Sequence, residues 1–228
     1  MSFKDKTFEL IGQNEEVFQD LIKYVDLIET TNKSLNLTGF SGDDLWREGI
    51  YQSIVLMNES FEITQGKKML DIGSGVGFPS VPFLIYKRDF DLFISEPSLK
   101  RVAFLEEVKK QLSLKMVFMV QRIEDVKEEE TFDLITARAV TSLKNLIEIS
   151  SRVGAMDAQY SFLKGPKIYD ELQESSQIIE ELSLRTDIKT VDIMTKNNEI
   201  QKHYLFQYSK TKKTPKKYPR TWLLISAK

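Results

Sequence analysis

The chain has 228 residues, enough to bury a sizeable core as one domain with a small appendage. It has no cysteine and one histidine, His203, which excludes a disulfide framework, a thiolate nucleophile and any Cys/His zinc pattern, so no metal site is expected. The net charge of −2 divides unevenly, because Lys210, Lys212, Lys213, Lys216, Lys217, Arg220 and Lys228 close the chain without one acid.

An acidic body with a basic end suits a protein whose tail meets phosphates. No run approaches the roughly 18 apolar residues of a membrane span, and Met1-Ser2-Phe3-Lys4-Asp5 lacks the apolar core of a signal peptide. The expectation is a cytoplasmic, monomeric protein without membrane association. Three stretches are distinguished: a helical N-terminal subregion over 1–60, an α/β core over 61–210 and a basic tail over 211–228, together one structural domain.

Asn14-Glu15-Glu16 reads as a helix N-cap with acids in the first turn, followed by Val17, Leu21, Tyr24, Val25 and Ile28 at helical spacing. A second helix begins after Ser41-Gly42-Asp43 and carries Leu45, Ile50, Ile54, Val55 and Met57. From residue 66 short apolar runs recur at 68–72, 91–95, 116–120, 132–136, 159–163, 188–194 and 203–208. Helical segments lie between most of them, such as Ser98 to Leu112 with Val102, Leu105, Val108 and Leu112 on one face. This alternation predicts a doubly wound, Rossmann-like α/β sheet, mostly parallel. Only residues 195–199 separate the last two runs, so these form an antiparallel hairpin. Ligands in such sheets bind at the carboxyl ends of the strands, where the strand order reverses.

The most informative stretch is Lys68-Met69-Leu70-Asp71-Ile72-Gly73-Ser74-Gly75-Val76-Gly77-Phe78-Pro79, a strand running through alternating glycines into a helix. Gly73 permits a sharp turn and Gly75 a close approach of backbone to ligand. A dinucleotide loop wants its third glycine where Phe78 stands, and no phosphate-loop lysine follows. The Asp-x-Gly-x-Gly-x-Gly order is the variant found in S-adenosylmethionine-dependent methyltransferases. Asp71, Gly73, Ser74, Gly75, Gly77 and Phe78 become candidate cofactor contacts.

Glu96 follows the next strand about twenty residues on, where a carboxylate can accept from both ribose hydroxyls. After the third strand, in Gln121-Arg122-Ile123-Glu124-Asp125, an acid can accept from the adenine amino group while Ile123 covers a ring face. The fourth strand leads to Ala137-Arg138-Ala139 and sets Arg138 at the mouth of the crevice. His203 lies in a strand-like stretch and reads as a strand-edge histidine.

Attack through pyrimidine C5 needs an enzyme cysteine, and methylation of exocyclic amines usually goes with Asn/Asp-Pro-Pro-aromatic where this chain has Thr136-Ala137-Arg138-Ala139-Val140. A ring nitrogen such as guanine N7 needs no general base, only a lone pair held in line with the methyl group. Arg138 is a candidate donor for that positioning. The residues permit this chemistry without requiring it.

The chain resembles the bacterial small-subunit ribosomal RNA guanine-N7 methyltransferases (RsmG, or glucose-inhibited division protein B). The resemblance rests on Asn36-Leu37-Thr38, the stretch 71–79, Lys100-Arg101-Val102-Ala103-Phe104-Leu105, Arg122-Ile123-Glu124, Leu163-Lys164-Gly165 and Thr214-Pro215-Lys216-Lys217-Tyr218-Pro219-Arg220. Its most specific element is Arg138-Ala139-Val140-Thr141-Ser142-Leu143. It implies S-adenosylmethionine as cofactor and methylation of one guanosine at N7 in a 16S RNA hairpin loop, with naked RNA or the small subunit as partner. It also implies cofactor contacts at Gly73, Phe78, Ile123, Glu124 and Arg138, and RNA contacts at Lys164, Lys212, Lys213, Lys216, Lys217 and Arg220. Where the family usually has histidine-isoleucine-leucine-aspartate-serine, this chain has Gly49-Ile50-Tyr51-Gln52-Ser53; a usual glycine is Ser80, and the end reads Thr221-Trp222-Leu223-Leu224.

Two other readings stay open on the residues. A methyltransferase of another RNA, a protein or a small molecule would keep the glycine loop and Glu96 without needing Arg138 or the tail. A non-catalytic RNA-binding protein would keep the tail alone.

Overall fold

In the computed structural model, residues 1–197 and 199–225 are described. Asn198, in the predicted hairpin turn, and residues 226–228, with Lys228 of the basic tail, lie outside the described residues. The N-terminal part consists of α1 (Phe3–Leu10), α2 (Glu15–Leu35), a single turn α3 (Gly42–Asp44), a π-helical segment (Leu45–Tyr51) and α4 (Gln52–Ser60). Asn14 caps α2, its side chain accepting from the Val17 amide at 3.2 Å. Leu21, Tyr24, Val25 and Ile28 are all buried, as their spacing predicts. Each such burial contributes roughly 2 kcal/mol. α1 carries no strong apolar stripe and is not legible in the sequence; Phe3 and Thr7 anchor it.

The alternating part is β1 (Lys68–Ile72), α5 (Ser80–Lys87), β2 (Asp91–Ser95), α6 (Leu99–Gln111), β3 (Met116–Met119), a 3₁₀ turn (Ile123–Asp125) and β4 (Phe132–Arg138). It continues with α7 (Leu143–Ser150), β5 (Gly154–Lys164), α8 (Ile168–Glu174), α9 (Ser176–Glu181), β6 (Arg185–Met194), β7 (Ile200–Ser209) and the short α10 (Trp222–Ile225). The described strands form one sheet in the order β3-β2-β1-β4-β5-β7-β6. β1 to β5 are parallel, and β7 runs antiparallel to both β5 and β6. The doubly wound sheet and the antiparallel last strand agree with the sequence pattern. β5 and β6 begin earlier than 159–163 and 188–194, because ladder bonding to their neighbours continues where the apolar run has stopped.

The order reverses between β1 and β4, and the register fixes what meets there. Ile72 pairs with Ser95 on one side and Ala137 on the other, so the next residues of each strand, Gly73, Glu96 and Arg138, come together at one end of the sheet. The N-terminal helices share a core with β1, β2, β3, α5 and α6 rather than standing apart. No described helix is long and apolar enough to cross a membrane.

The described part of the tail, residues 210–225, is tied to the body at several points. Lys210 is buried and donates to the Gly154 carbonyl at 2.8 Å, and Tyr218 is buried against β5 and α7. Arg220 grips the buried Glu148 of α7 with Nε at 2.8 Å and Nη2 at 2.7 Å, and its amide donates to the same carboxylate at 3.0 Å. Burial alone would raise the Glu148 carboxyl, but these bonds outweigh it and hold the group below its usual range.

Candidate functional site: two adjoining cavities at the sheet's carboxyl end

The glycine loop follows β1 directly. The Gly73 amide donates to the Ser95 carbonyl at 2.8 Å, and Gly73 takes φ of +67°. A Cβ there would meet Val140 at 3.0 Å in a backbone region that strongly favours glycine. Above Gly75 the space is open, with no atom within 4 Å of where a Cβ would stand. α2 supports the loop from beneath: the buried Tyr24 hydroxyl donates to the Val76 carbonyl at 2.6 Å, and burial raises its pKa and keeps it protonated.

Asp71 is fully buried under the loop, and burial pushes its carboxyl up to about 7 against the opposing pull of the Ser80 hydrogen bonds and Arg138. The Ser80 hydroxyl donates to Asp71 Oδ2 at 2.5 Å. Ser80, which stands where the resembling family usually has glycine, therefore ties the end of β1 to the first turn of α5.

A cavity of about 300 Å³ opens over the ends of β1, β2 and β4. Gly73, Glu96, Ile123, Glu124, Val140 and Trp222 are among its walls. Glu96 is only 1% exposed, with Oε2 accepting from the Gly75 amide at 3.2 Å and Oε1 from the Ser98 amide at 2.9 Å. Oε2 also accepts from Arg101 Nη1 at 3.5 Å, and Oε1 keeps a second lone pair for a further donor. Glu124 Oε1 is buried without a hydrogen-bond donor, Arg122 Nη1 standing 3.8 Å away. A buried acceptor left this way is costly unless a ligand meets it.

A second cavity, of about 270 Å³, adjoins the first across Ala139, which lines both and takes φ of +55°. Such a φ is uncommon for a residue with a Cβ. Arg138 lies in this second cavity with Glu48, Gln52, Lys164, His203 and Tyr204. Its Nη1 donates to the Glu48 carbonyl at 2.8 Å, and its guanidinium stacks 5.9 Å from the Phe78 ring centroid. Burial pulls its pKa down, while Glu48 and Asp71 oppose that and keep the charge. The Glu48 carbonyl belongs to the π-helical segment; such segments recur at functional sites. Gln52 is buried to 3% exposure, and His203 Nε2 is buried without a hydrogen-bond partner, burial lowering the pKa of the ring.

The predicted residues thus separate. Gly73, Glu96, Ile123 and Glu124 line the first cavity, with Gly75 beside them at Glu96. Asp71, Ser74, Gly77 and Phe78 are not among its lining residues: Asp71 and Ser74 are buried, a Cβ on Gly77 would meet Val81 at 2.5 Å, and Phe78 packs on Tyr24. Arg138 points to the second cavity instead of the first. Lys164 is held by Glu171 at 2.6 Å and donates to the Thr141 carbonyl at 3.0 Å, which fixes the chain after β4. Lys217 pairs with Glu181, Lys212 donates to Ser183 at 3.1 Å, and Arg220 is committed to Glu148. Lys213 and Lys216 are exposed.

Residues 17–203 match the family described as rRNA small subunit methyltransferase G. The chain belongs to that family. It is 43% identical over 206 residues to the ribosomal RNA small subunit methyltransferase G of Mycoplasmopsis pulmonis, covering 89% of this chain and 88% of that one. The protein of the same name from Clostridium botulinum is 32% identical over 218 residues, covering 91% and 88%. Among solved structures, TYW2 of P. horikoshii in complex with MeSAdo is similar with a TM-score of 0.59 at 13% identity, over 78% of this chain and 67% of that one. The tRNA (m1A58) methyltransferase TrmI of Aquifex aeolicus has a TM-score of 0.55 at 17% identity, over 72% and 70%. At such identities the structures speak to the fold alone.

For a member of the methyltransferase G family, the first cavity fits S-adenosylmethionine: a buried carboxylate with a spare lone pair, an orphaned acceptor and open space over Gly75 suit its ribose, adenine amine and aminoacyl end. The sequence reading missed Glu48 and Gln52, which come from the N-terminal helices, and Val140, Tyr204 and Trp222. Gln52 and Trp222 carried a signal as departures from the family pattern, and Val140 as part of the Arg138–Leu143 element; Glu48 and Tyr204 carried none. The other half of the Gln52 departure has a steric reading here, since a Cβ on Gly49 would stand 2.5 Å from Phe78.

Proposed function

We propose that this protein transfers a methyl group from S-adenosylmethionine to N7 of a single guanosine in 16S ribosomal RNA, in the cytoplasm. The observation that carries the reading is the pair of cavities meeting at Ala139, one fitted to the cofactor and one lined by base-recognising side chains. When bound, S-adenosylmethionine supplies an electrophilic methyl group. Glu96 accepts from the ribose, Glu124 from the adenine amine, and Gly73 and Gly75 let the chain approach closely. Asp71, Ser74, Gly77 and Phe78 shape the loop from behind.

In the second cavity Arg138 donates toward guanine O6, which leaves the N7 lone pair free for the methyl group, and the Glu48 carboxylate accepts from the opposite edge. N7 is unprotonated at neutral pH, so these residues position the base and abstract no proton. His203, kept neutral by burial, and Gln52 complete the polar lining. Lys213 and Lys216 meet phosphates and position the RNA rather than read it. An unstacked loop guanosine gives side chains access to this edge.

Transfer of labelled methyl groups to naked 16S RNA and to assembled small subunits, with nucleoside analysis of the product, tests the proposal. N7-methylguanosine at one site is expected on one of the two substrates. Cofactor binding without RNA labelling would contradict the acceptor assignment and leave the fold intact.

A further inference from the structure

The C-terminal segment does more than pack. α10 is a single turn, yet Ile225 within it is buried and Trp222 packs on the cluster that holds Ile123 and Ile149. Trp222 lines the first cavity together with Ile123 and Glu124, the residues fitted to the adenine end. The Arg122 guanidinium lies 5.3 Å from the Trp222 ring centroid, which fixes the indole beside the cavity. The segment is held there by the Arg220–Glu148 bonds and by the Arg152 guanidinium, which donates to the Tyr218 carbonyl at 2.7 Å.

Two cavity walls of this chemistry suit a purine. Ile123 offers an apolar surface to one ring face, and an indole offers a stacking surface to the other; aromatic stacking on a base is worth the most where water is excluded. Neither Leu223 nor Leu224, exposed to 80% and 57%, enters this wall, so the contribution falls on Trp222 alone within the turn.

We propose that Trp222 is a cofactor-binding residue, the C-terminal segment closing the adenine end of the S-adenosylmethionine cavity by stacking its indole on the adenine opposite Ile123. The inference rests on the assignment of the first cavity to the cofactor. It makes the tail a part of the cofactor site as well as a basic surface. Arg220 and Glu148 then act as positioning residues for Trp222, reaching the cofactor only through the path of the chain.

Calorimetric titration of the full chain with S-adenosylhomocysteine tests it. Trp222→Ala is expected to weaken binding about tenfold, Trp222→Phe to retain most of the affinity, and 5′-methylthioadenosine, which lacks the aminoacyl end, to show the same loss. A Trp46→Phe variant leaves Trp222 as the only indole, and its fluorescence should change saturably with either nucleoside. Unchanged affinity in Trp222→Ala, with the unaltered chain binding normally, would overturn the role of Trp222 while keeping the cavity. Absence of binding by the unaltered chain would overturn both.

Discussion

The two cavities at the carboxyl end of the sheet are neighbours in space and opposites in construction. The first is built almost wholly from the short segments that follow β1, β2, β3 and β4, each a continuous extension of a strand whose register is fixed by its neighbours. The second gathers Glu48 and Gln52 from the N-terminal helices, Arg138 from β4, Lys164 from β5 and His203 and Tyr204 from β7. A ligand shared by many enzymes can be held by local features of the strand-to-helix turns. An acceptor particular to one family needs walls from whatever elements the fold brings alongside.

If this division holds, lesions in the two cavities should separate cofactor affinity from methyl transfer. The largest effect is expected from Gly73→Val. A branched side chain would be forced into Val140 at positive φ, so S-adenosylhomocysteine binding should fall below detection by calorimetry while the far-ultraviolet circular dichroism stays that of the folded chain. Next comes Arg138→Ala, which should reduce methyl transfer about a hundredfold through lost positioning, with cofactor affinity changed only slightly. A parallel loss of cofactor binding would place Arg138 with the first cavity after all.

The contrast also explains what was readable. The parallel sheet, the capped α2 and the face of α6 follow from periodicity, and Val102, Leu105 and Val108 of α6, with Leu112 at its C-cap, are buried. Gly73, Glu96 and Glu124 were legible because strand order and spacing alone place them. That Arg138 lines the second cavity was not legible, because its position in the chain says that it leaves β4, but not to which side it turns. The guanidinium follows the carbonyl of Glu48, a partner 90 positions away supplied by a π-helical turn that no periodicity announces. The basic tail shows the same limit. Its charge says that it can meet phosphates, but not that Glu148 and Glu181, far away in sequence, pair with Arg220 and Lys217.

A smaller effect is expected at that tail. The Glu148 carboxyl lies below its usual value of 4.5 in the folded chain, so its pairing with Arg220 stabilises fully above that value. This stabilisation is lost as the pH falls through the depressed folded value. Arg220→Ala should cost about 2 kcal/mol in denaturant unfolding at neutral pH, and the cost should vanish on strong acidification. A cost independent of pH would mean that the arginine acts by packing.

The smallest effect is at the surface. Replacing Lys213 and Lys216 by alanine should lower the slope of RNA affinity against salt by about one per lysine in a log–log plot, without altering cofactor binding. An unchanged slope would remove these two lysines from the RNA path.

The division between the cavities is tested most directly by titrating S-adenosylhomocysteine into Glu96→Gln and Gln52→Ala side by side. Loss of charge-assisted bonds to the ribose should weaken binding to Glu96→Gln about thirtyfold, and Gln52→Ala should bind as the unaltered chain does. Equal affinity in Glu96→Gln, or a comparable loss in Gln52→Ala, would contradict the assignment of one cavity to the cofactor and the other to the base.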